Sequence, residues 1–254
     1  MEGVKGFVDV SRDERAVAQV HAFLLPHFGE AELEPLSHYL AQARGSGAVE
    51  SIIVARWDGD GVCAAAIGAL IPLTGERVLG AVGHALVDRR LRGQGAGRQL
   101  NAALEERLAH YAKLAGCRLE AFILESEADA RFFWGKVGYR WPEGCRYSQP
   151  PLRYAADGSP DLPTIPLLLL LRHPEHSDAI PGPLVREYLQ TMLVWWYRDD
   201  LADSLVGAAL ARAEGWLTAE IIAPSVASLV GAQVALIDPN TMTEAWVTAW
   251  LAAD

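Results

Sequence analysis

This chain has little positive charge. Its 254 residues include 22 Lys or Arg against 32 Asp or Glu, a formal net charge of −10. That balance argues against a broad nucleic-acid footprint, which needs a basic face. Cysteine is scarce as well. Cys63, Cys117 and Cys145 are odd in number and share no metal-ligand spacing, so no metal site is expected and reduced thiols in a cytoplasmic protein fit best. The opening MEGVKGFVDVSRDER has no basic segment leading into an apolar core, so no secretory signal is expected. The apolar run in TIPLLLLLR is much too short to cross a bilayer and reads as a buried strand. No internal repeat or low-complexity tail is found. What remains is an ordinary globular composition, 51% hydrophobic and 21% charged, long enough for one large core or two modest ones.

The pattern along the chain is mixed. A strand is expected over Gly6 to Val10, then a helix with Ser11 and Glu14 as its capping box and Val17, Val20, His21, Leu24 and Leu25 near one face. A second helix is expected from Glu30 to Arg44, ended by GSG, with His21, His27 and His38 as surface or packing residues. SIIVARW, the turn DGDG, VCAAAIGALIPL, the turn TGE and RVLGAVGHALVD then read as a three-strand antiparallel meander. RQLNAALEERLAHYAKLAG is amphipathic through Leu100, Ala103, Leu104, Leu108 and Tyr111, with Gly116 at its C-cap. CRLEAFILE is a strand, EADARFFWGKV a short helix and PLLLLLR a last strand. From Pro174 the chain turns helical and rich in tryptophan (Trp195, Trp196, Trp216, Trp246, Trp250). The expectation is an α/β (α+β) domain over 1–173, with a mixed, mostly antiparallel sheet flanked by helices. A mainly helical extension over 174–254 would pack on it or form a homodimer.

Between the meander and the amphipathic helix lies DRRLRGQGAGR. A strand entering a helix through so many small residues leaves backbone N–H groups uncovered at the helix start, next to the positive end of its dipole. Side chains at Gly93, Gly95, Ala96 and Gly97 would hold a phosphate away from those amides, and Arg92 and Arg98 add charge-assisted hydrogen bonds. The site suits a pyrophosphate. A Walker loop needs Lys-Ser or Lys-Thr after its last glycine, where Arg98-Gln99 stands here. The dinucleotide fingerprint opens a parallel βαβ unit, whereas this segment follows an antiparallel meander.

The segment Arg92-Gly93-Gln94-Gly95-Ala96-Gly97 resembles the signature of the GNAT superfamily of acyl-CoA-dependent N-acetyltransferases. About 40 residues on, ARFFWGKVGYRW is similar to that family's second block, through Ala130, Phe133-Trp134 and Gly138-Tyr139. The resemblance covers about residues 3 to 173. It implies acetyl-CoA as cofactor, its pyrophosphate on the amides of Gly93 to Arg98 and its pantetheine arm along backbone near Leu86 and Val87, with a further contact at Trp134. The acceptor would be a primary amine of a small molecule or peptide, with no nucleic acid and no membrane involved.

Acyl transfer to an amine needs an oxyanion donor, a proton acceptor and a proton for the departing thiolate. A backbone amide near Leu86 is the candidate for the first. The position that often carries the family's acidic tyrosine is Trp134, whose indole N–H donates but is no acid, so either Tyr139 or Tyr147 substitutes, or the thiolate leaves unassisted, or the protein binds CoA with little turnover. The asparagine usual in the second block is Glu127. His84 is a candidate base. Strict alternation puts it on one face with Val82 and Leu86, opposite Ala81, Gly83 and Ala85, whereas family members with a base on this strand use positions matching Ala81 or Gly83. Glu125, at the end of the next strand, is the other candidate.

Overall fold

The computed structural model describes residues 6–45, 50–59, 61–151, 154–198, 205–223, 225, 229, 231 and 233–251. The turn residue Asp60, Ser46 and Gly47 of GSG, Arg153, and the side chains of Trp196 and Trp250 lie outside the described residues. Two compact units divide the chain, 1–122 and 123–254. The elements are β1 (Val8–Asp9), α1 (Glu14–Glu32), α2 (Leu36–Arg44), β2 (Ser51–Asp58), β3 (Gly61–Pro72), β4 (Arg77–Val87), α3 (Ala96–Leu114), β5 (Arg118–Ser126), α4 (Arg131–Lys136), β6 (Trp141–Pro142), β7 (Tyr147–Gln149), β8 (Ile165–Arg172), β9 (Ala179–Ile180), α5 (Gly182–Leu193), α6 (Gly207–Trp216), β10 (Val234–Ile237) and α7 (Glu244–Leu251). A seven-stranded, mostly antiparallel mixed sheet runs β1-β2-β3-β4-β5-β8-β7, and β6-β10-β9 form a small second sheet. Among the described residues no helix is long and apolar enough to cross a membrane.

In the first unit the meander forms as its turns predict. One face of β2 and β3 (Ile53, Ala55, Ala65, Ile67) packs with Val17, Val20 and Leu24 of α1 and Tyr39 and Ala43 of α2 in one core cluster. Each buried Val, Leu or Ile there contributes about 1.5–3 kcal/mol. The other face takes α3. Gly68 and Gly80 are small because Leu104 and Leu108 come within reach, and a Cβ on Gly68 would stand 2.6 Å from the Ala81 carbonyl oxygen and 3.2 Å from Leu104.

Three local expectations are corrected. Asp13, not Ser11, caps α1, accepting from the Ala16 N–H at 3.0 Å. Ser11 is buried and ties β1 to β2 instead, donating to Asp9 Oδ1 at 2.6 Å and accepting from the Ile53 N–H at 2.9 Å. The second helix starts at Leu36 rather than Glu30, because Gly29 (φ 76°) kinks α1, whose last turn then runs on to Glu32. The region from 174 is mainly helical but adds β9 and β10. VALI is too short for periodicity to mark it, and it becomes a strand by pairing with β6 and β9.

The close approach at Gly68 makes a test of the α3 face. Gly68→Val is expected to lower unfolding stability by about 1–3 kcal/mol through overpacking. Denaturant titration measures it, and an unchanged midpoint would contradict the packing described.

Candidate functional site

β4 carries an irregularity that the linear pattern hides. Ile67 pairs with His84, but the next residue, Gly68, pairs with Val82, leaving Gly83 as the extra residue of a β-bulge. Cross-strand partners share a face, so the bulge resets the alternation. His84 and Leu86, opposite Ile67 and Ala65, stand on the same face as Ala81, opposite Ala69, while Val82 turns to the α3 side. This overturns the expected grouping of His84 with Val82 against Ala81. The strand also opens at that point. Val78 to Val82 are buried, Gly83 is exposed, and His84 to Val87 are half-buried, so the backbone near Leu86 and Val87 lies in the open half.

His84 is held from two sides. Its ring meets the Phe28 ring edge-on, centroids 4.7 Å apart, and its Nε2 lies 3.1 Å from the Glu32 carbonyl oxygen. A carbonyl only accepts, so Nε2 carries the hydrogen and Nδ1 the lone pair. Burial pushes the imidazole down to about 4, against a smaller upward pull from that carbonyl, so His84 is neutral at pH 7.

The glycine segment forms an ordered turn. A 3-10 turn over Arg89–Leu91 is capped by Asp88, which accepts from the Arg90 N–H at 2.8 Å and from the Arg90 guanidinium at 3.0 and 3.1 Å. Those hydrogen bonds hold the Asp88 carboxyl down to about 2. Gln94 donates to the Arg90 carbonyl at 2.7 Å, and Arg92 Nε to the Val87 carbonyl at 3.3 Å. Gly95 then caps α3 in the left-handed conformation (φ 83°), with no side chain capping the helix. The first helical bond runs from the Gln99 N–H to the Gly95 carbonyl at 3.1 Å, so the amides of Ala96, Gly97 and Arg98 precede the helix's own ladder. A Cβ built on Gly93 or Gly95 meets nothing within 4 Å, so the space before the loop is open. Arg92, Gln94 and Arg98 are exposed, whereas Ala96 is buried, so its small size serves packing as well as access. Open amides at the head of a 19-residue helix, with arginines alongside, fit a diphosphate.

The remaining candidates lie in the second unit. Tyr139 is fully buried, with its ring 5.4 Å from that of Trp134, which is itself nearly buried and also meets Phe133 at 4.8 Å. Glu125 and Tyr147 are brought together, and two residues that the sequence did not single out join them. Glu125 Oε1 accepts from the Tyr147 hydroxyl and, at 2.8 Å, from the Tyr197 hydroxyl, while Gln149 Nε2 lies 3.4 Å from Oε2. Tyr147 and Tyr197 are buried and Glu125 is half-buried. Burial first, then the Glu125 charge, raises both phenols well above the usual tyrosine range. No linear signal marks Tyr197. It sits within WWYRDD, where an aromatic run reads as helix packing.

The model of the GNAT acetyltransferase family matches residues 7–139, just over half of the chain, taking in β4, the glycine turn, α3 and α4 through Tyr139. No curated protein matches. Among solved structures, a Bacteroides thetaiotaomicron protein assigned to the GNAT acetyltransferases is 18% identical, covering 75% of this chain and 96% of that one, with a TM-score of 0.50. A GNAT-family acetyltransferase from Streptococcus pneumoniae (17% identical, 66% and 99% covered, TM-score 0.40) and an aminoglycoside 6'-N-acetyltransferase solved with coenzyme A (15%, 66% and 96%, TM-score 0.44) also match. With both sequence blocks inside the matched span and the open glycine turn between β4 and α3, the chain belongs to the GNAT family of acetyltransferases and is an acyltransferase.

Proposed function

We propose that this protein moves an acetyl group from acetyl-CoA to a primary amine of a small molecule or peptide, by direct attack within a ternary complex. The observation that carries the reading is the uncapped, open head of α3 at Gly93 to Arg98. In it, the amides of that turn, with Arg92 and Arg98, hold the diphosphate, and the half-open backbone at Leu86 and Val87 pairs with the pantetheine arm. The bound thioester supplies the acyl group. An N–H near Leu86 steadies charge on the reacting carbonyl oxygen. His84 Nδ1, kept unprotonated by burial, takes the proton released as the amine bonds to carbon. Tyr147 keeps its proton through the neutral range, its hydroxyl donating to Glu125 Oε1. The three free thiols support a reducing, cytoplasmic setting, with burial pushing Cys145 up to about 12.

A second reading, CoA binding with little turnover, is favoured by Trp134, which stands where an acidic tyrosine is usual. Thiol release measured over a panel of amines separates the two: tight CoA binding without release supports the second.

Gly95→Glu is expected to weaken CoA binding at least about 100-fold in calorimetry, by blocking the amides and adding negative charge, while the near-UV circular dichroism of the fold is kept. Unchanged affinity overturns the assignment. His84→Gln is expected to lower kcat by about 10²-fold or more with CoA affinity unchanged. His84 also links stability to pH. Its native value of about 4 lies below the ordinary 6.5, so the unfolded chain binds the extra proton between them and stability falls as pH drops through that interval. Thermal melts from pH 7 to pH 4 read this loss, and His84→Gln flattens the slope.

A further inference from the structure

Within the first unit, α3 carries a polar side chain inside its apolar face. Asn101 is only 5% exposed, among the buried Leu100, Leu104 and Leu108 of the same helix. Its Oδ1 finds no hydrogen-bond donor among the described residues. A buried carbonyl oxygen without a donor is costly, and an apolar side chain at the same place would not be.

Two close approaches fix where Asn101 stands against β4. A Cβ on Gly68, the cross-strand partner of Val82, would lie 3.2 Å from Leu104, and a Cβ on Gly80 would lie 3.4 Å from Leu108. Four residues of helix therefore pass two residues of strand, about 6 Å in each case, with α3 and β4 running in opposite directions. Three residues back from Leu104, about 4.5 Å, Asn101 is level with Gly83 and His84, where the bulge opens β4. Asn101 also shares a stripe of the helix with Leu108, two turns on. Leu108 and Phe122 of β5 converge on Gly80, so this stripe is the β5 side of α3, whereas Tyr111, nearer the other flank, reaches Asp9 of β1 at 3.0 Å. A helical side chain leans toward the start of its own helix, which here means over Gly97 and Arg98. Asn101 thus lies between the open half of β4 and the uncapped head of α3, and the strand residue beside it, Gly83, is exposed and has no side chain to cover it.

We propose that Asn101 Oδ1 accepts a hydrogen bond from an amide N–H of the pantetheine arm of CoA, which makes Asn101 a cofactor-binding residue. The identity of this ligand rests on the acyl-transfer reading above. Donor chemistry selects the part of CoA that is met: the diphosphate offers acceptors to an oxygen that needs a donor, whereas the arm carries two amide N–H groups. In that reading the arm runs from the diphosphate at the head of α3 to the thioester near His84, and Asn101 stands at the deep end of this path. The chain thus keeps an oxygen that weakens the packing of α3 and is paired when the arm is bound.

The test uses the full chain with two calorimetric probes, CoA and 3'-phosphoadenosine 5'-diphosphate, which is CoA without its arm. Asn101→Leu, which keeps the branching and removes both polar atoms, is expected to weaken CoA binding about ten-fold and to leave the affinity for the armless nucleotide within two-fold. The same substitution is expected to raise the thermal midpoint of the ligand-free protein by about 2–4 °C. Asn101→Ala, with the same loss toward CoA alone, decides the matter if Asn101→Leu does not fold. Unchanged CoA affinity in a folded variant overturns the proposal and leaves the acyl-transfer reading standing, with Asn101 a packing residue. An equal loss for both probes overturns it too, as does a midpoint for Asn101→Leu that falls, since the oxygen then has its partner within the protein. A wild-type protein that binds neither probe removes the acyl-transfer reading, and this proposal with it.

Discussion

At the head of α3 the chain leaves backbone donors without the side-chain cap that most helices use, and the first unit is arranged to make that state stable and open. Gly95 takes a left-handed conformation, so no side chain crosses the amides, and the helix begins its own bonding only at Gln99. The turn before it is rigid for a separate reason: Asp88 caps the 3-10 turn and is clasped by Arg90, so one arginine of the basic group is spent on structure. Arg92 and Arg98 stay exposed beside the opening. The hydrophobic packing of α3 under Leu100, Leu104 and Leu108 anchors the helix so that its free end can face outward.

The bulge at Gly83 does comparable work on β4. Before it, the strand is buried between two layers. After it, the residues are half-exposed and their phase is reversed. That reversal puts His84 on the side of α1, against Phe28 and the Glu32 carbonyl, and gives its imidazole a defined tautomer and a low proton affinity. An imidazole of this kind is unprotonated at neutral pH and correspondingly weak as a proton acceptor.

The second unit shows a different device. Arg131, at the start of α4, is fully buried, lies 4.0 Å over the Phe132 ring and reaches Glu244 at 2.6 Å. Gly135 lets Asp238 and Asn240 approach α4 so closely that a Cβ would stand 2.3 Å from the Asn240 side chain. Residues 238–244 are thus bound to the helix of the family's second block. The region after 174 is tied to that helix by an ion pair and to Glu125 by a phenol.

The sequence by itself determined the fold class, the strand meander, the span of α3 and the glycine turn, because each is written in local terms: period-two and period-3.6 burial, turn residues, and small side chains where amides must be reached. It also determined the family, since both motif blocks are contiguous. Only the tertiary structure decided which face His84 takes, because one unpaired residue at Gly83 shifts a count that alternation assumes to be unbroken. Ser11 leaves the helix cap to Asp13 for a similar reason: its hydroxyl accepts from the Ile53 N–H of β2, 42 residues away, rather than from the helix beside it. And Tyr197 joined Glu125 across 72 residues of chain, a pairing set by packing that leaves no mark in the spacing of either residue.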